Sequence, residues 1–378
     1  MNQRVDVRAW IQYQWSYMLA WLGGERRVNE RAYETGAFVR RREIQSPSDL
    51  LQLILTWAVG GCSLRETVAL AAEAGLADVS DVALLKRISR SCGWLTSLLT
   101  DLLADRVENA EMNTRIRLID ATAISSPGHG GTSLRVHMAM QLGTNRCDTI
   151  EVTDGHGAES LDRFTFSPGE IVIADAGYAH RAGLAGVAEA GAYFLVRLPW
   201  SSLPLETRDG EPFDLFAALN SLAEAERGEF AVQFRPPKAR PLACRLVAIR
   251  KTEALAAEAR QRVLANSKRH GTKAINLRTL EYAGFICVLT NAPVELSSRS
   301  ILDLYRFRWQ IEMKFKNLKS VLDLGNVPAR SPELLKAYVL AKLLVAVVID
   351  RLLSAESFFP WGYPMPDDQL LAPQHDLA

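Results

Sequence analysis

The chain has 378 residues, 48% of them hydrophobic and 23% charged, with a formal net charge of +1. This is an ordinary globular composition, long enough for a sizeable core and two or three domains, and it excludes a low-complexity or fibrous chain. The near-neutral balance also excludes a nucleic-acid binder that works by bulk charge; any basic surface must be local.

The first residues, MNQRVDVRAW, lack the apolar stretch and small-residue cleavage site of a signal peptide. Residues 1–110 read as a helical N-terminal domain. Ser46-Pro47-Ser48-Asp49 is a helix start ahead of LLQLILTWAV, with polar caps and a proline suited to a first turn. The stretch SLRETVALAAEAGLADVSDVALLKRISRS reads as helix, turn at Gly75, and a second helix capped by Ser80 and ending in Lys86, Arg87 and Arg90. Such a pair is either a DNA-binding helix-turn-helix or a plain helical hairpin, and pattern alone favours the hairpin. The run VRRRE at 39–43 reads as a solvated face.

Near residue 114 the pattern changes. TRIRLIDAT alternates and brings a carboxylate, Asp120, to a strand end; LRVHMAMQL and DTIEVTD form a hairpin across GTNR. EIVIADAGY is a near-continuous apolar strand ending in Asp175, HRAGLAGVAEAGA a helix, and YFLVRLP another strand. Residues 111–199 are therefore the first part of a mixed sheet with helices packed on it. Residues 200–280 read as an inserted, partly β lobe with the basic stretch Lys268, Arg269, His270, Lys273 and Arg278. Residues 281–355 return to the sheet with AGFICVLTNAP and then turn helical, and 356–378 form a Pro-rich tail. The apolar run LLVAVVI at 343–349 is too short to cross a bilayer. The chain is expected to be soluble and cytoplasmic, with no membrane partner.

In ILDLYRFRWQIEMKFKNLKS (301–320), Leu304, Phe307, Ile311, Phe315, Leu318 and then Leu322 recur as one helical stripe. Tyr305, Arg308, Glu312, Lys316 and Lys319 gather on its shoulder. Asp120, Asp175 and Glu312 are three carboxylates that such a sheet and helix bring toward one edge, where open α/β sheets bind ligands. With no histidine or cysteine among them, they form a hard oxygen site suited to two Mg²⁺ or Mn²⁺ ions and in-line phosphoryl displacement, and unsuited to zinc. Taken singly, each has a structural alternative: strand-end caps for the aspartates, an i±4 ion-pair ladder for Glu312 with Arg308 and Lys316. The five cysteines (Cys62, Cys92, Cys147, Cys244, Cys287) are dispersed, without C-x-x-C spacing, and read as reduced structural thiols.

The spacing Tyr305-x₂-Arg308-x₃-Glu312-x₆-Lys319 resembles the YREK signature of the DDE transposases of bacterial insertion-sequence family four. IDAT, RVHMAMQL, EVTDGHGAESLDRF and IADAGYAH are similar to that family's other blocks, so the likeness spans roughly residues 110–350. The resemblance implies an RNase H-like mixed sheet with flanking helices and a β-rich insertion, beside which the helical N-terminal domain is a candidate for binding DNA ends. It implies metal ligation by Asp120, Asp175 and Glu312, with Arg308, Lys316 and Lys319 on phosphates and Tyr305 on the backbone near the terminal nucleotide. The partners implied are double-stranded DNA, as terminal inverted repeats and target, and a second copy in a synaptic homodimer; the protein would be nucleoid-associated when DNA-bound. One departure stands out: where the family often has Asp-Arg-Gly-Tyr, this chain has Asp175-Ala176-Gly177-Tyr178. Rival readings are a structure-selective nuclease of the same fold and a transposase-derived DNA-binding protein without activity. Trp200 reads as a core or loop tryptophan, and His137 as a surface or hydrogen-bonded histidine.

Overall fold

The computed structural model describes residues 15–104, 116–128, 131–144, 146–269, 274–321 and 331–355. The readings made for the first ten residues, for His270, Lys273 and Leu322, and for the tail 356–378 lie outside them.

The helical N-terminal region comprises α1 (Trp15–Trp21), α2 (Gly24–Glu34), α3 (Pro47–Val59), α4 (Leu64–Glu73), α5 (Asp81–Ser89) and α6 (Cys92–Ala104). The start signals at Ser46 and Ser80 act as expected: Ser46 closes a capping box with Asp49, and Ser80 accepts from the Ala83 amide; Ser63, which was missed in the sequence, closes another capping box with Glu66. Gly75, with φ of 66°, makes the turn after α4.

Eight strands follow: β1 (Ile116–Ile124), β2 (Leu134–Gln141), β3 (Arg146–Asp154), β4 (Ile171–Ala174), β5 (Tyr193–Arg197), β6 (Arg227–Phe234), β7 (Leu242–Arg250) and β8 (Phe285–Thr290). They form one sheet in the order β3-β2-β1-β4-β5-β8-β7-β6. β1, β2 and β3 are antiparallel, whereas β4 and β5 run parallel to β1. Three antiparallel strands followed by two parallel ones is the RNase H-like arrangement. The strands of the 200–280 stretch, β6 and β7, extend this same sheet through β8.

The remaining helices are α7 (Arg181–Glu189), α8 (Leu215–Asn220), α9 (Glu253–Arg269), α10 (Leu277–Tyr282), α11 (Ser298–Arg306), α12 (Trp309–Val321) and α13 (Pro332–Ala355). Both faces of the sheet are covered. On one, Leu118, Met138, Ile173 and Val288 share a core with Ile311 and Phe315 of α12, with α13 and with the N-terminal helices. On the other, Ile119, Val172, Phe194 and Leu289 pack with Tyr178, Leu184 and Leu219. Burial on both faces is why β4 reads as an unbroken apolar run. The N-terminal helices join the first core through α13: Trp57 meets Tyr338 edge-on at 5.2 Å, and Cys92 Sγ approaches the Glu333 carbonyl at 3.2 Å. Among the described residues no helix is long and apolar enough to cross a membrane.

Two local expectations are corrected. The helix read through 301–320 is two helices, because Phe307, Arg308 and Gln310 donate three residues back, to Leu304, Tyr305 and Phe307, and this tighter winding interrupts the α-helical ladder. Asp120 does not end β1, which runs on to Ile124 against β2; only the pairing with β4 stops at Ile119.

Candidate catalytic site

The site begins where β4 stops. Ile119 is paired with Ala174, and Ala174 with Val196, across three parallel strands. One residue further along each strand come Asp120, Asp175 and Arg197. Side chains alternate along a strand, so Asp120 shares the face of Leu118 and Asp175 that of Ile173. That is the face on which α12 packs: Ile311, Phe315 and Leu318 are buried in its core, with Phe315 only 1% exposed. The apolar stripe read from the sequence is thus the anchor that brings Glu312 over the strand ends.

Each carboxylate has a local fixing contact. Asp120 Oδ1 accepts from the Ala121 amide at 2.8 Å, and Asp175 Oδ1 accepts from the Gly177 amide at 2.9 Å, capping the short 3₁₀ turn Ala176–Tyr178. Glu312 is ion-paired with Arg308, the side chains being 25% and 12% exposed. Burial, followed by the charge of Asp175, pushes the Asp120 carboxyl up to about 8, with Arg308 opposing and Glu312 adding. Arg308 feels burial, which disfavours its charge; Tyr305, Glu312, Asp120 and Asp175 outweigh it and raise the guanidinium above the ordinary arginine range. These mutual effects bring Asp120, Asp175, Glu312, Arg308 and Tyr305 into one electrostatic neighbourhood. The Tyr305 hydroxyl is buried without a hydrogen-bond partner, and burial first, with Asp175 and Glu312 adding, raises it above the usual phenol range.

Lys316 and Lys319 follow on α12, the first exposed and the second half-buried. Burial pulls the Lys319 amine down. Elsewhere, His137 is fully buried, not on the surface, with Nε2 3.0 Å from Thr153 Oγ1 and Nδ1 3.5 Å from the Tyr178 hydroxyl. Trp200 packs edge-on against Phe216 at 5.5 Å, and the Arg278 guanidinium lies over the same ring. Arg278 thus starts α10 engaged with an aromatic, while Lys268 and Arg269 end α9.

Two residues of the site were missed in the sequence. Arg197 closes β5 beside the point where Asp175 follows β4, a parallel that the run YFLVRLP carries but that needs the strand order to be legible. Glu159 comes from the loop after β3, and its carboxyl is pushed up by burial and by Asp175. No periodic signal marks it.

Comparison with known proteins gives the family. Residues 111–348 match the family model described as the transposase DDE domain. The chain is 38% identical over 354 residues to InsL of insertion sequence element IS186A from Escherichia coli (strain K12), named a transposase, covering 92% of this chain and 95% of that one. It is likewise 38% identical over 355 residues to the transposase of insertion sequence element IS421 from Escherichia coli, with the same coverage. The transposase of IS231F from Bacillus thuringiensis subsp. israelensis is 26% identical over 264 residues, covering 61% of this chain and 54% of that protein.

Proposed function

The chain belongs to the transposase DDE-domain family of bacterial insertion sequences, and on that premise we propose that Asp120, Asp175 and Glu312 hold two divalent ions, Mg²⁺ or Mn²⁺, for cutting and joining DNA. The observation that carries this is the register. Two aspartates stand one step past the last paired residues of adjacent parallel strands, and burial, then the charge of Asp175, pushes the Asp120 carboxyl up to about 8. A cluster of this kind is relieved by a cation.

The donors fit such an ion, since all are carboxylate oxygens. Among the described residues no three His, Cys, Asp or Glu side chains stand close enough to share one ion. Glu312 is engaged by Arg308, so completing the set calls for that pair to open. Divalent ions bound there would activate the attacking oxygen and stabilise the leaving one in an in-line displacement.

The other residues act on DNA directly. Arg308, once released from Glu312, and Lys316 and Lys319 bind phosphates around the scissile bond, and the unpartnered Tyr305 hydroxyl takes a backbone oxygen near the terminal nucleotide. Residues 111–199 and 281–355 are the catalytic core, 200–280 the insertion, and 1–110 the DNA-end-binding part, acting within a homodimer. For that last part the exposed Arg40, Arg41, Arg42 and Arg90 offer a phosphate-binding surface beside Arg87. The Arg87 guanidinium lies over Phe38 at 5.2 Å, and burial, then Arg42, disfavour its charge, with Glu43 opposing and Arg90 and Arg40 adding. An anion is the natural relief for such crowding.

The test supplies a labelled transposon end, a supercoiled target and Mg²⁺ to the wild type and to Asp175→Ala. Nicking and joined product are expected from the wild type alone. Hydrolysis without joining would instead identify a structure-selective nuclease, and undiminished products from Asp175→Ala would refute the assignment.

A further inference from the structure

Glu159 reaches the site from outside the three-carboxylate set. It sits between the end of β3 and the 3₁₀ turn Leu161–Arg163, in a loop pressed onto the β2–β3 hairpin. Gly155 allows that approach, because a β-carbon there would overlap the Thr132 carbonyl. From β2, Arg135 Nη1 donates to the Gly157 carbonyl at 3.1 Å and stands 3.6 Å from Glu159 Oε1. The other carboxylate oxygen, Oε2, lies against the α-carbon of Gly177, and a methyl group at that position would overlap it. The same position is 3.1 Å from Asp175 Oδ1. Gly177 is the residue whose amide fixes that Asp175 oxygen. The chain of contact therefore runs from β2 through Arg135 to Glu159, on to the Gly177 backbone, and so to Asp175.

We propose that Glu159, braced by Arg135, is a positioning residue that holds the Asp175-Ala176-Gly177 turn in the shape required to bind a divalent cation. The inference rests on the metal-binding assignment made above. Glu159 fills the space that a side chain at 177 would take, so a β-carbon there displaces the carboxylate, and the backbone of Gly177 is not in the left-handed region. The carboxylate also adds negative charge beside Asp175, and partners of this kind typically alter metal affinity by about 10–100-fold when removed. The two contributions separate by mutation. Glu159→Gln keeps the volume and removes the charge, whereas Gly177→Ala keeps the charge and drives the carboxylate away from the turn.

The experiment measures Mn²⁺ affinity of the full chain without DNA, from the electron paramagnetic resonance signal of free Mn²⁺, with thermal melting in EDTA as a control for folding. Glu159→Gln and Gly177→Ala should each weaken Mn²⁺ binding by about 10-fold, with melting in EDTA close to that of the wild type. Because the Gly177→Ala clash is with Glu159, the double variant Glu159→Ala/Gly177→Ala should bind no more weakly than Glu159→Ala alone. Wild-type affinity in both single variants, with binding lost in Asp175→Asn, overturns the brace and leaves the metal assignment standing. A lowered melting point with unchanged affinity reduces Glu159 to a structural role and likewise overturns it. Failure of the wild type to bind Mn²⁺, or undiminished binding by Asp175→Asn, overturns both.

Discussion

Acidification should destabilise this fold through one histidine. His137 is fully enclosed in β2, between Thr153 and Tyr178, and burial, with the neighbouring Arg163 and Arg135, lowers it from 6.5 to about 4. Its folded-state pKa lies below the unfolded value, so the unfolded chain binds the proton more readily. The stabilisation is complete above pH 6.5 and is lost as pH falls toward 4. A shift of this size corresponds to about 3 kcal/mol at about 1.4 kcal/mol per unit, of which about 2 kcal/mol is gone by pH 5. Urea unfolding of the wild type and His137→Gln at pH 7.5 and pH 5 isolates this contribution, because glutamine keeps a polar group near Thr153 and cannot titrate. The variant should be less stable than the wild type at pH 7.5 and should lose about 2 kcal/mol less on going to pH 5. An equal loss in both proteins would refute the reasoning, and the buried imidazole would then have to be already charged or freely hydrated.

Other perturbations probe separate parts of the molecule. Phe315→Ala, at the centre of the α12 anchor, should cost about 3–5 kcal/mol in denaturant unfolding and reduce DNA nicking, since Glu312 rides on that helix. Arg117 is 6% exposed and bridges Asp148, Thr149 and the Thr165 carbonyl, with Glu170 3.9 Å away. Arg117→Met removes the cation that faces the Asp148 and Glu170 carboxylates and should cost about 3–5 kcal/mol by the same measurement. Replacing Arg40, Arg41 and Arg42 with Gln should flatten the dependence of log Kd on log salt for duplex DNA by about 0.9 per lost phosphate contact. It should leave thermal stability unchanged, as these side chains are exposed.

Much of the architecture was legible because it rests on periodicity. The hairpin of β2 and β3, the buried run of β4 and the stripe through Ile311, Phe315 and Leu318 each follow a repeat of two or of 3.6 residues. The serine caps before α3 and α5 were equally plain, because a cap is a local contract between a hydroxyl and an amide three residues on. What escaped was set by tertiary contact. The break at Phe307–Arg308 interrupts no apolar spacing, because a short stretch of tighter winding leaves Leu304, Phe307 and Ile311 close to the same face. The extension of β1 past Asp120 depends on β2 continuing beside it where β4 has ended. His137 looked out of phase with an apolar face because its strand is covered on both sides. Of the site, the three carboxylates and the Tyr305–Lys319 spacing were visible, while Arg197 and Glu159 required knowing which strand ends and which loop lie beside Asp175.

The most direct test of the account is a crystal of the full chain soaked in Mn²⁺, with the ions located by their anomalous scattering. The account predicts anomalous peaks bounded by the carboxylates of Asp120 and Asp175, with Glu312 turned away from Arg308 to meet them. Peaks elsewhere, or Mn²⁺ held by the aspartates while Glu312 stays paired with Arg308, would contradict it.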